Sequence, residues 1–288
     1  MGIGVAAAAV GVGAFFTNPV GIGITMARQG LDRAGLERET LQGPDGKLSL
    51  WHGGTGNEVI VLLHGMGNQA GSWVRVASDL AQVGSVFVLD LPGHGESEPH
   101  RGPLNLGQMV DGVAALVEST GVETVTLVGN SMGGWVSMLY AAEYPDRVKR
   151  LILLNSAGLE YTLPEGLELV PGDREAARRL VEAMSPEGAK PTADFVLDDL
   201  VEKIGDGASP RLIAGFDPKY FVDDALGRIV APTDVVWGTA DRLVPQALGE
   251  RLANELPEGR FHTLEGCGHM PQQQCPRELV PLLFELLD

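Results

Sequence analysis

Residues 127–135 read LVGNSMGGW, and this stretch decides the fold. An apolar run ends at Gly129, and Ser131 and Gly133 complete the spacing G-x-S-x-G just before a helix-like pattern. Between a strand and a helix this spacing is typical of a nucleophile elbow, a turn so tight that only small residues fit two positions either side of the serine. The turn lifts the hydroxyl to the start of the helix, where backbone amides surround it. The stretch therefore predicts that Ser131 is a nucleophile.

Short apolar runs bounded by Gly or Pro recur on both sides of the elbow and predict the strands of a mostly parallel sheet. These runs are Lys47–Trp51, Glu58–Leu63, Ser85–Leu91, Thr124–Val128, Val148–Leu154, Thr233–Trp237 and Arg260–Leu264. Amphipathic stretches of helix length lie between most of them, at Gly71–Gln82, Leu106–Thr120, Ser131–Tyr144, Pro245–Leu256 and Cys275–Leu287. Strands that alternate with helices indicate an α/β fold with helices on both faces of the sheet.

One polar, proline-rich stretch at residues 158–230 interrupts this alternation. It carries helical patterns at Glu175–Met184 and Thr192–Ile204. An insertion between two core strands predicts a helical cap that shapes a substrate pocket, and a decorative subdomain is the alternative. The predicted division is an N-terminal arm at residues 1–35, a core at 36–157 and 231–288, and the cap between the two core segments.

A serine hydroxyl is a weak nucleophile at neutral pH, so it needs a base within hydrogen-bond reach and a group that orients the base. His269 ends the string LEGCGH after the last predicted strand and lies just before the C-terminal helix. Asp241 lies in the loop GTADRLVP, again directly after a predicted strand. The chain order Ser, Asp, His is the order that accompanies a nucleophile elbow. We expect Ser131, Asp241 and His269 to be the catalytic residues.

Two backbone amides are needed to bind the negative charge that develops on the substrate oxygen. One is expected from Met132, the residue after the nucleophile, and the other from Met66 in the glycine-flanked turn HGMG. His64, the first residue of that turn, is expected to brace it. Asp90 and His94 in the string DLPGHGES are interpreted as loop-stabilising residues.

Composition limits the class of protein and its partners. The 288 residues contain 21 Lys and Arg against 38 Asp and Glu, a net charge of -17, which repels nucleic acid. Hydrophobic residues make up 44% and charged residues 20%, as in packed globular domains. Cys267 and Cys275 are too few for a disulfide framework and match no metal-ligand spacing, so we expect reduced thiols in a cytoplasmic catalytic domain.

The N-terminal segment supports two interpretations. Residues 2–27 carry no charge, and Arg28 and Arg33 follow, so the length permits attachment to a membrane with the catalytic domain on the cytoplasmic side. Six glycines and the pair Asn18-Pro19 weaken a single spanning helix. The alternative is an apolar arm that packs on the domain or helps to close the pocket. A secretory signal requires Lys or Arg before its apolar run, and neither precedes this run.

From about Lys47 to its end the chain resembles the α/β-hydrolase superfamily, through HGMG, DLPGHG, GNSMGG, WGTADRLVP and GCGHMP. The resemblance implies an acyl-enzyme mechanism that needs no metal or cofactor. Some relatives carry the acid one strand earlier, near Asn155, which bears no charge. Residues 127–161 are similar to two groups, the membrane-anchored monoacylglycerol lipases with related esterases, and the hydrolases that cleave carbon-carbon bonds in aromatic ring-cleavage products.

Three features favour the ester-cleaving group: the apolar arm, the GCGH block, and Met270 at a position where carbon-carbon hydrolases commonly carry tryptophan. We therefore expect hydrolysis of a small-molecule ester or lipid. Met270 and Trp135 are candidate acyl-pocket residues, and ordinary core packing is the alternative for Trp135. Carbon-carbon hydrolysis, a cofactor-free haloperoxidase-like esterase and a non-catalytic binding protein remain as alternatives.

Overall fold

The computed structural model describes residues 17–288, and residues 1–16 lie outside the described part of the chain. The strands are β1 Glu37–Gly43, β2 Gly46–Gly53, β3 Val59–Leu63, β4 Ser85–Leu89, β5 Val125–Asn130, β6 Val148–Leu154, β7 Thr233–Gly238 and β8 Gly259–Leu264. They form one sheet in the order β1-β2-β4-β3-β5-β6-β7-β8. The β1-β2 and β2-β4 pairs are antiparallel and the other five are parallel.

Helices flank this sheet. They are α1 Pro19–Arg33, α2 Ala77–Leu80, α3 Leu106–Thr120, α4 Met132–Glu143, α5 Arg174–Met184, α6 Asp194–Gly205, α7 Ala208–Ala214, α8 Gln246–Glu255, α9 Pro271–Gln274 and α10 Pro276–Leu287. Short 3-10 turns occur at Ala70–Trp73, Pro145–Arg147, Pro218–Tyr220 and Asp223–Arg228. The mostly parallel α/β architecture expected from the sequence is confirmed.

The central strands of the sheet are buried on both faces, and each sends alternate side chains to opposite layers. In β5, Leu127 packs in the layer that includes α3 and α4, whereas Val128 packs in the layer that includes α1 and α10. Every residue of β3 and β5 is buried. Continuous burial explains why these two strands read as unbroken apolar runs in the sequence.

Two local predictions were wrong. Strand β1 was missed because its sequence, ERETLQG, is polar and exposed at five of its seven positions, as an edge strand allows. The predicted helix Gly71–Gln82 is instead a 3-10 turn and the four-residue helix α2. In both places pairing and packing with distant elements override the local pattern.

The helices α5, α6 and α7 follow one another between β6 and β7. Arg174 of α5 forms exposed ion pairs with Asp194 and Asp198 of α6, so these two helices lie side by side. Leu180 of α5 and Leu212 of α7 are buried in the same cluster as the sheet residues. The helical region therefore packs directly on the core, and α7 is an element that the sequence pattern did not indicate.

Helix α1 packs on the domain. The side chain of Asn18 caps it by accepting from the amide of Gly21 at 3.1 Å, and Leu31 is fully buried. Asp32 accepts a 2.8 Å hydrogen bond from the indole of Trp51 on β2. Within residues 17–288, no helix combines the length and hydropathy that crossing a bilayer requires. The rest of the predicted attachment segment, residues 2–16, lies outside the described residues.

The expectation of reduced thiols was wrong. Cys267 and Cys275 form a disulfide, with their Cα atoms 6.0 Å apart. Cys267 follows β8 and Cys275 directly precedes α10, so the chain between them folds back and brings the two sulfurs within bonding reach. A single bridge that closes one short loop needs neither a multi-bridge framework nor a metal spacing, so two cysteines suffice for it.

Candidate active site

The candidate site lies at the topological switch point of the sheet, where successive strands are added on opposite sides of β3. Strand β3 has β4 on one side and β5 on the other, and a crevice at the carboxyl ends of such strands is the usual ligand position in open α/β sheets. Ser131 follows β5, and the loop with Met66 follows β3. Asp241 and His269 follow β7 and β8. All of these residues thus leave their strands at the same edge of the sheet.

The elbow is defined by its backbone. Ser131 has φ 54° and ψ -118°, a left-handed conformation that non-glycine residues rarely adopt. A Cβ on Gly129 would lie 2.4 Å from the carbonyl carbon of Gly133, and one on Gly133 would lie 2.1 Å from the carbonyl oxygen of Leu63. The glycines are therefore required by the close approach of α4 to β5 and β3.

His269 and Asp241 form a hydrogen-bonded pair, with Nδ1 of the imidazole 2.7 Å from Oδ2 of the carboxylate. The other carboxylate oxygen accepts from the amides of Leu243 at 2.9 Å and Val244 at 3.1 Å. His269 is 3% exposed and Asp241 is 8% exposed. Because Nδ1 faces the carboxylate, Nε2 is the ring nitrogen left to take a proton from a substrate or nucleophile. His269 and Ser131 line the same cavity.

Asn155 supports the acid. Its Nδ2 donates to Oδ2 of Asp241 at 2.7 Å, and its Oδ1 accepts from the amide of Gly238 at 3.1 Å. It is fully buried with φ 44°. From the sequence alone, this position is notable only because it lacks a carboxylate. In the structure the amide there holds the carboxylate of Asp241 in the loop after the neighbouring strand, β7.

Asn130 holds the loop that carries the base. Its Nδ2 donates to the carbonyl of His269 at 2.9 Å and to that of Leu154 at 3.0 Å, while its Oδ1 accepts from Gln272 at 3.0 Å. The amide of His269 donates to the carbonyl of Met184 at 3.0 Å. Sequence reasoning missed Asn130, although a large polar residue at a buried position inside the elbow is a signal that could have identified it.

Two backbone amides lie beside the nucleophile. Met132 is the first residue of α4, where helical amides have no partner within the helix. Met66 lines the cavity, and a Cβ on the adjacent Gly65 would lie 3.3 Å from Cβ of Ser131, so the turn lies against the serine. Oxyanion donors from these two residues are therefore compatible with the geometry.

His64 braces that turn. Its Nε2 accepts from the amide of Leu91 at 3.0 Å, so Nδ1 carries the proton and donates to the carbonyl of Gly65 at 2.8 Å. Burial lowers the pKa of His64 to about 4, and the ring is neutral at physiological pH. Asp90 accepts from the amides of Ala70 at 2.6 Å and Glu96 at 2.9 Å. Both side chains stabilise loops, as the sequence analysis expected.

A cavity of about 550 Å³ opens beside Ser131 and His269. Its walls are mostly apolar and come from α1, from the helices between β6 and β7, and from the turns after β3 and β8. Representative apolar lining residues are Val20, Ile24, Leu169, Leu180, Leu200 and Ile204. A volume of this order is typical of small-ligand sites.

The two candidate pocket residues have different positions. Met270 lines the cavity, and its sulfur lies 3.7 Å from Nδ2 of Asn68. Trp135 is not among the described residues that line the cavity. Its indole stacks on Phe221 with ring centroids 5.5 Å apart and donates to the carbonyl of Tyr220 at 2.7 Å. The structure thus places Trp135 in packing beneath the chain between β6 and β7, which was the alternative.

An elbow serine, a histidine-carboxylate pair and an adjoining cavity on a doubly flanked sheet define a serine hydrolase. The family model described as "Alpha/beta hydrolase family" matches residues 60–282, and the chain belongs to this family. The α/β-hydrolase fold expected from the sequence motifs is thereby confirmed.

Three similar proteins differ in chemistry. A 2-hydroxy-6-oxononadienedioate/2-hydroxy-6-oxononatrienedioate hydrolase of Cupriavidus pinatubonensis is 32% identical, over 81% of this chain and 88% of its own length. The crystal structure of a membrane phospholipase A, a bacterial virulence factor, superposes with a TM-score of 0.81 at 28% identity, covering 99% of this chain and 96% of the other. A solved enzyme that degrades N-acyl homoserine lactones has a TM-score of 0.73 at 26% identity, covering 86% and 99%.

Proposed function

We propose that this serine hydrolase cleaves carboxylic esters with an apolar acyl group, of the monoacylglycerol or simple lipid-ester type. The observation that carries the proposal is the apolar cavity beside Ser131 and His269. Transfer of an acyl chain from water into such a cavity is favourable, by about 25 cal/mol for each Å² of apolar surface buried. The relatives that act on phospholipid and on N-acyl lactone support ester chemistry.

In the proposed mechanism, Nε2 of His269 accepts the proton of Ser131 as its Oγ attacks the ester carbonyl. Asp241 keeps the ring in the required tautomer and stabilises the imidazolium. The amides of Met66 and Met132 bind the oxyanion of the tetrahedral intermediate. The imidazolium then protonates the leaving alcohol, and a water deprotonated by the same ring releases the acid from Ser131.

The lining of the cavity favours this proposal over carbon-carbon hydrolysis of a dianionic substrate. A dienedioate carries two carboxylates, which require cationic or strongly polar partners. Among the described residues that line the cavity, Arg75 is the one cation, and it is exposed with its guanidinium donating to the carbonyl of Gln273 at 2.8 Å. The net charge of -17 also disfavours approach of a dianion.

A second candidate is carbon-carbon bond hydrolysis of a ring-cleavage product. It is favoured by the 32% identity to the hydrolase of Cupriavidus pinatubonensis over most of both chains. The same serine, histidine and acid would serve that reaction, so only the substrate separates the two candidates.

The deciding experiment compares kcat/KM for monoacylglycerols and p-nitrophenyl esters of graded chain length with kcat/KM for 2-hydroxy-6-oxononadienedioate. We expect the esters to be preferred by at least about a hundredfold, or about 2.7 kcal/mol in transition-state binding. Ser131→Ala is the control for each substrate and should abolish both reactions. Preference for the dienedioate would replace the ester proposal with the second candidate.

For localisation, we propose that residues 2–16 attach the protein to a membrane. The similarity to a membrane phospholipase A over 99% of this chain supports the attachment. The side of the membrane is a separate question. Arg28 and Arg33 favour the cytoplasm, whereas the Cys267–Cys275 disulfide supports an oxidising compartment.

Cell fractionation of the full chain and of a variant lacking residues 2–16 tests the attachment, because this deletion leaves α1 intact. We expect the full chain in the membrane fraction and the shortened chain in the soluble fraction. Identical fractionation of the two would remove the attachment proposal. Protease protection of the full chain in spheroplasts then reports the side on which the catalytic domain lies.

A further inference from the structure

We propose that Arg28 of α1 is a positioning residue for the turn that carries Met66, so that the N-terminal helix forms part of the catalytic apparatus. The proposal rests on the function proposed above, in which the amide of Met66 binds the oxyanion. It assigns a role to a residue outside the segment, 60–282, that the family model matches.

The turn is held at both ends by one short segment of chain. At its start, His64 accepts from the amide of Leu91 at 3.0 Å. At its end, the amide of Ala70 donates to Oδ1 of Asp90 at 2.6 Å. Between these anchors the amide of Asn68 donates to the carbonyl of Gly65 at 3.1 Å and closes the turn. The position of Met66 therefore depends on where residues 90 and 91 hold the two ends.

Arg28 reaches into this arrangement from α1. Its Nη2 lies 3.4 Å from Oδ2 of Asp90, whose side chain is fully buried. Its Nε donates to Oε1 of Gln69 at 3.0 Å, and the same oxygen accepts from the amide of Gly71 at 2.9 Å. Its Nη1 pairs with Glu96 at 2.9 Å. One planar guanidinium thus contacts the turn directly and also compensates the buried carboxylate that anchors it.

The buried carboxylate needs that charge. Burial raises the pKa of Asp90 above its usual value, while the Ala70 amide and the Arg28 guanidinium act in the opposite direction. The charged or titratable groups that act on Asp90 are Arg28, Arg38 and His94, with Glu96 paired to both arginines and His64 in ring contact with His94. Both histidines are neutral at physiological pH, since burial lowers the pKa of His64 to about 4 and of His94 to about 3. Arg28 is therefore the main cation next to the carboxylate, with Arg38 paired to Glu96 behind it.

Helix α1 also contributes to the walls of the cavity. Val20, Gly23, Ile24 and Ala27 line it from the two turns of helix before Arg28. The amide of Val20 donates to the buried carboxylate of Asp199 on α6 at 2.8 Å, which fixes the beginning of the helix. The helix is therefore held at both ends, by α6 at its start and by the oxyanion turn near its end.

The test measures kcat and KM with p-nitrophenyl butyrate for wild type, Arg28→Met and Arg28→Lys. Because an oxyanion donor acts on the transition state, we expect Arg28→Met to lower kcat by roughly tenfold, part of the 10²–10³ that loss of a whole donor costs, with KM nearly unchanged. Arg28→Lys should recover part of kcat, since an ammonium can neutralise Asp90 without holding Gln69 and Glu96 at once. Arg33→Met, on the same helix, is the matched control and should retain wild-type kcat.

The pH profile separates positioning from general stability. The ionised carboxylate is the form that accepts most strongly from the amides of Ala70 and Glu96. Protonation of Asp90 should therefore weaken the turn and lower kcat on the acidic side, in addition to the acidic limb that any enzyme with a histidine base shows. Removing Arg28 raises the pKa of Asp90 further, and the acidic limb of kcat should move to higher pH. A variant that merely unfolds more easily would lower activity without moving this limb toward neutrality at temperatures well below its Tm.

A double-mutant cycle with Asp90→Asn completes the test, because the part of the Arg28 effect that acts through the carboxylate should disappear, leaving only the smaller part that acts through Gln69. If Asp90→Asn does not fold, Arg28→Lys and the pH profile still decide the question. An Arg28→Met variant with wild-type kcat and an unmoved acidic limb would overturn the inference. If Ser131→Ala is inactive in the same assay, the proposed function still stands. A wild-type protein inactive on every ester would instead overturn the proposed function.

Discussion

The loops that carry Ser131 and His269 are fixed in different ways. The serine loop is defined by its own backbone, since Gly129 and Gly133 permit a contact that no side chain could share. The histidine loop is defined by bonds from elsewhere, namely Asn130 in the elbow, Gln272 and the Cys267–Cys275 disulfide. The serine loop, fixed by steric contact, tolerates almost no added side chain. In the histidine loop, each of several bonds contributes only part of the support. We therefore expect the two loops to respond differently to substitution.

The largest effect is expected at the elbow. Any side chain at position 133 would lie 2.1 Å from the carbonyl oxygen of Leu63, a backbone atom that cannot move aside. Gly133→Val should lower the free energy of unfolding by more than about 3 kcal/mol and abolish activity. Urea denaturation and ester hydrolysis measure both. Gly172→Ala is the control, since a Cβ there meets nothing within 4 Å, and it should stay within about 0.5 kcal/mol of wild type. A stable, active Gly133→Val would show that backbone contact does not define the elbow.

A smaller effect is expected where one side chain joins the two loops. Asn130→Ala removes the bonds to the carbonyls of His269 and Leu154 and leaves Gln272 without its partner. We expect the free energy of unfolding to fall by about 2–4 kcal/mol. A shift of the base by about 1 Å would lower kcat by roughly a hundredfold. Stopped-flow acylation and thermal denaturation measure these quantities.

Asn105→Ala is the matched control for Asn130→Ala, because Asn105 caps α3 through the amide of Gln108. It should cost about 1 kcal/mol of stability and leave kcat unchanged. Equal kcat in Asn130→Ala and in wild type would mean that the histidine loop keeps its position without this bond.

The smallest effect on activity is expected from the disulfide. Replacing both cysteines by alanine removes a bridge with a sequence separation of 8, which should destabilise the fold by about 2–3 kcal/mol. Because the bonds from Asn130 and Gln272 remain, the base should shift by well under 1 Å and kcat should fall by less than about fivefold. Dithiothreitol should lower the Tm of wild type and leave that of the double variant unchanged. A hundredfold loss of kcat would make the bridge, rather than the side-chain bonds, the main support of His269.

The same contrast explains what could be predicted from the sequence. The elbow was predictable because the close backbone contacts that define it require glycines at fixed positions around Ser131, and this spacing is visible in the sequence. The central strands β3 and β5 were predictable because continuous burial gives continuous apolar runs. The order of the motifs along the chain also indicated Asp241 and His269 as candidates. In the structure Oδ2 of Asp241 lies 2.7 Å from Nδ1 of His269.

The remaining features depend on contacts between distant residues. Asn155 and Asn130 act on groups 86 and 139 residues away, and an isolated asparagine has no pattern that reveals this. The edge strand β1 is too polar to be recognised, and the Cys267–Cys275 bridge becomes apparent only when the loop between them is seen to fold back. The place of α1 in the cavity wall depends on tertiary packing in the same way.

The most direct test of the central claim is mass-spectrometric mapping of a fluorophosphonate label on wild type, Ser131→Ala and His269→Ala, with the labelling rate followed over time. The account predicts one labelled peptide, modified at Ser131, no label in Ser131→Ala, and a rate at least about 10³ lower in His269→Ala. A label on another residue, or equal labelling rates in wild type and folded His269→Ala, would contradict it.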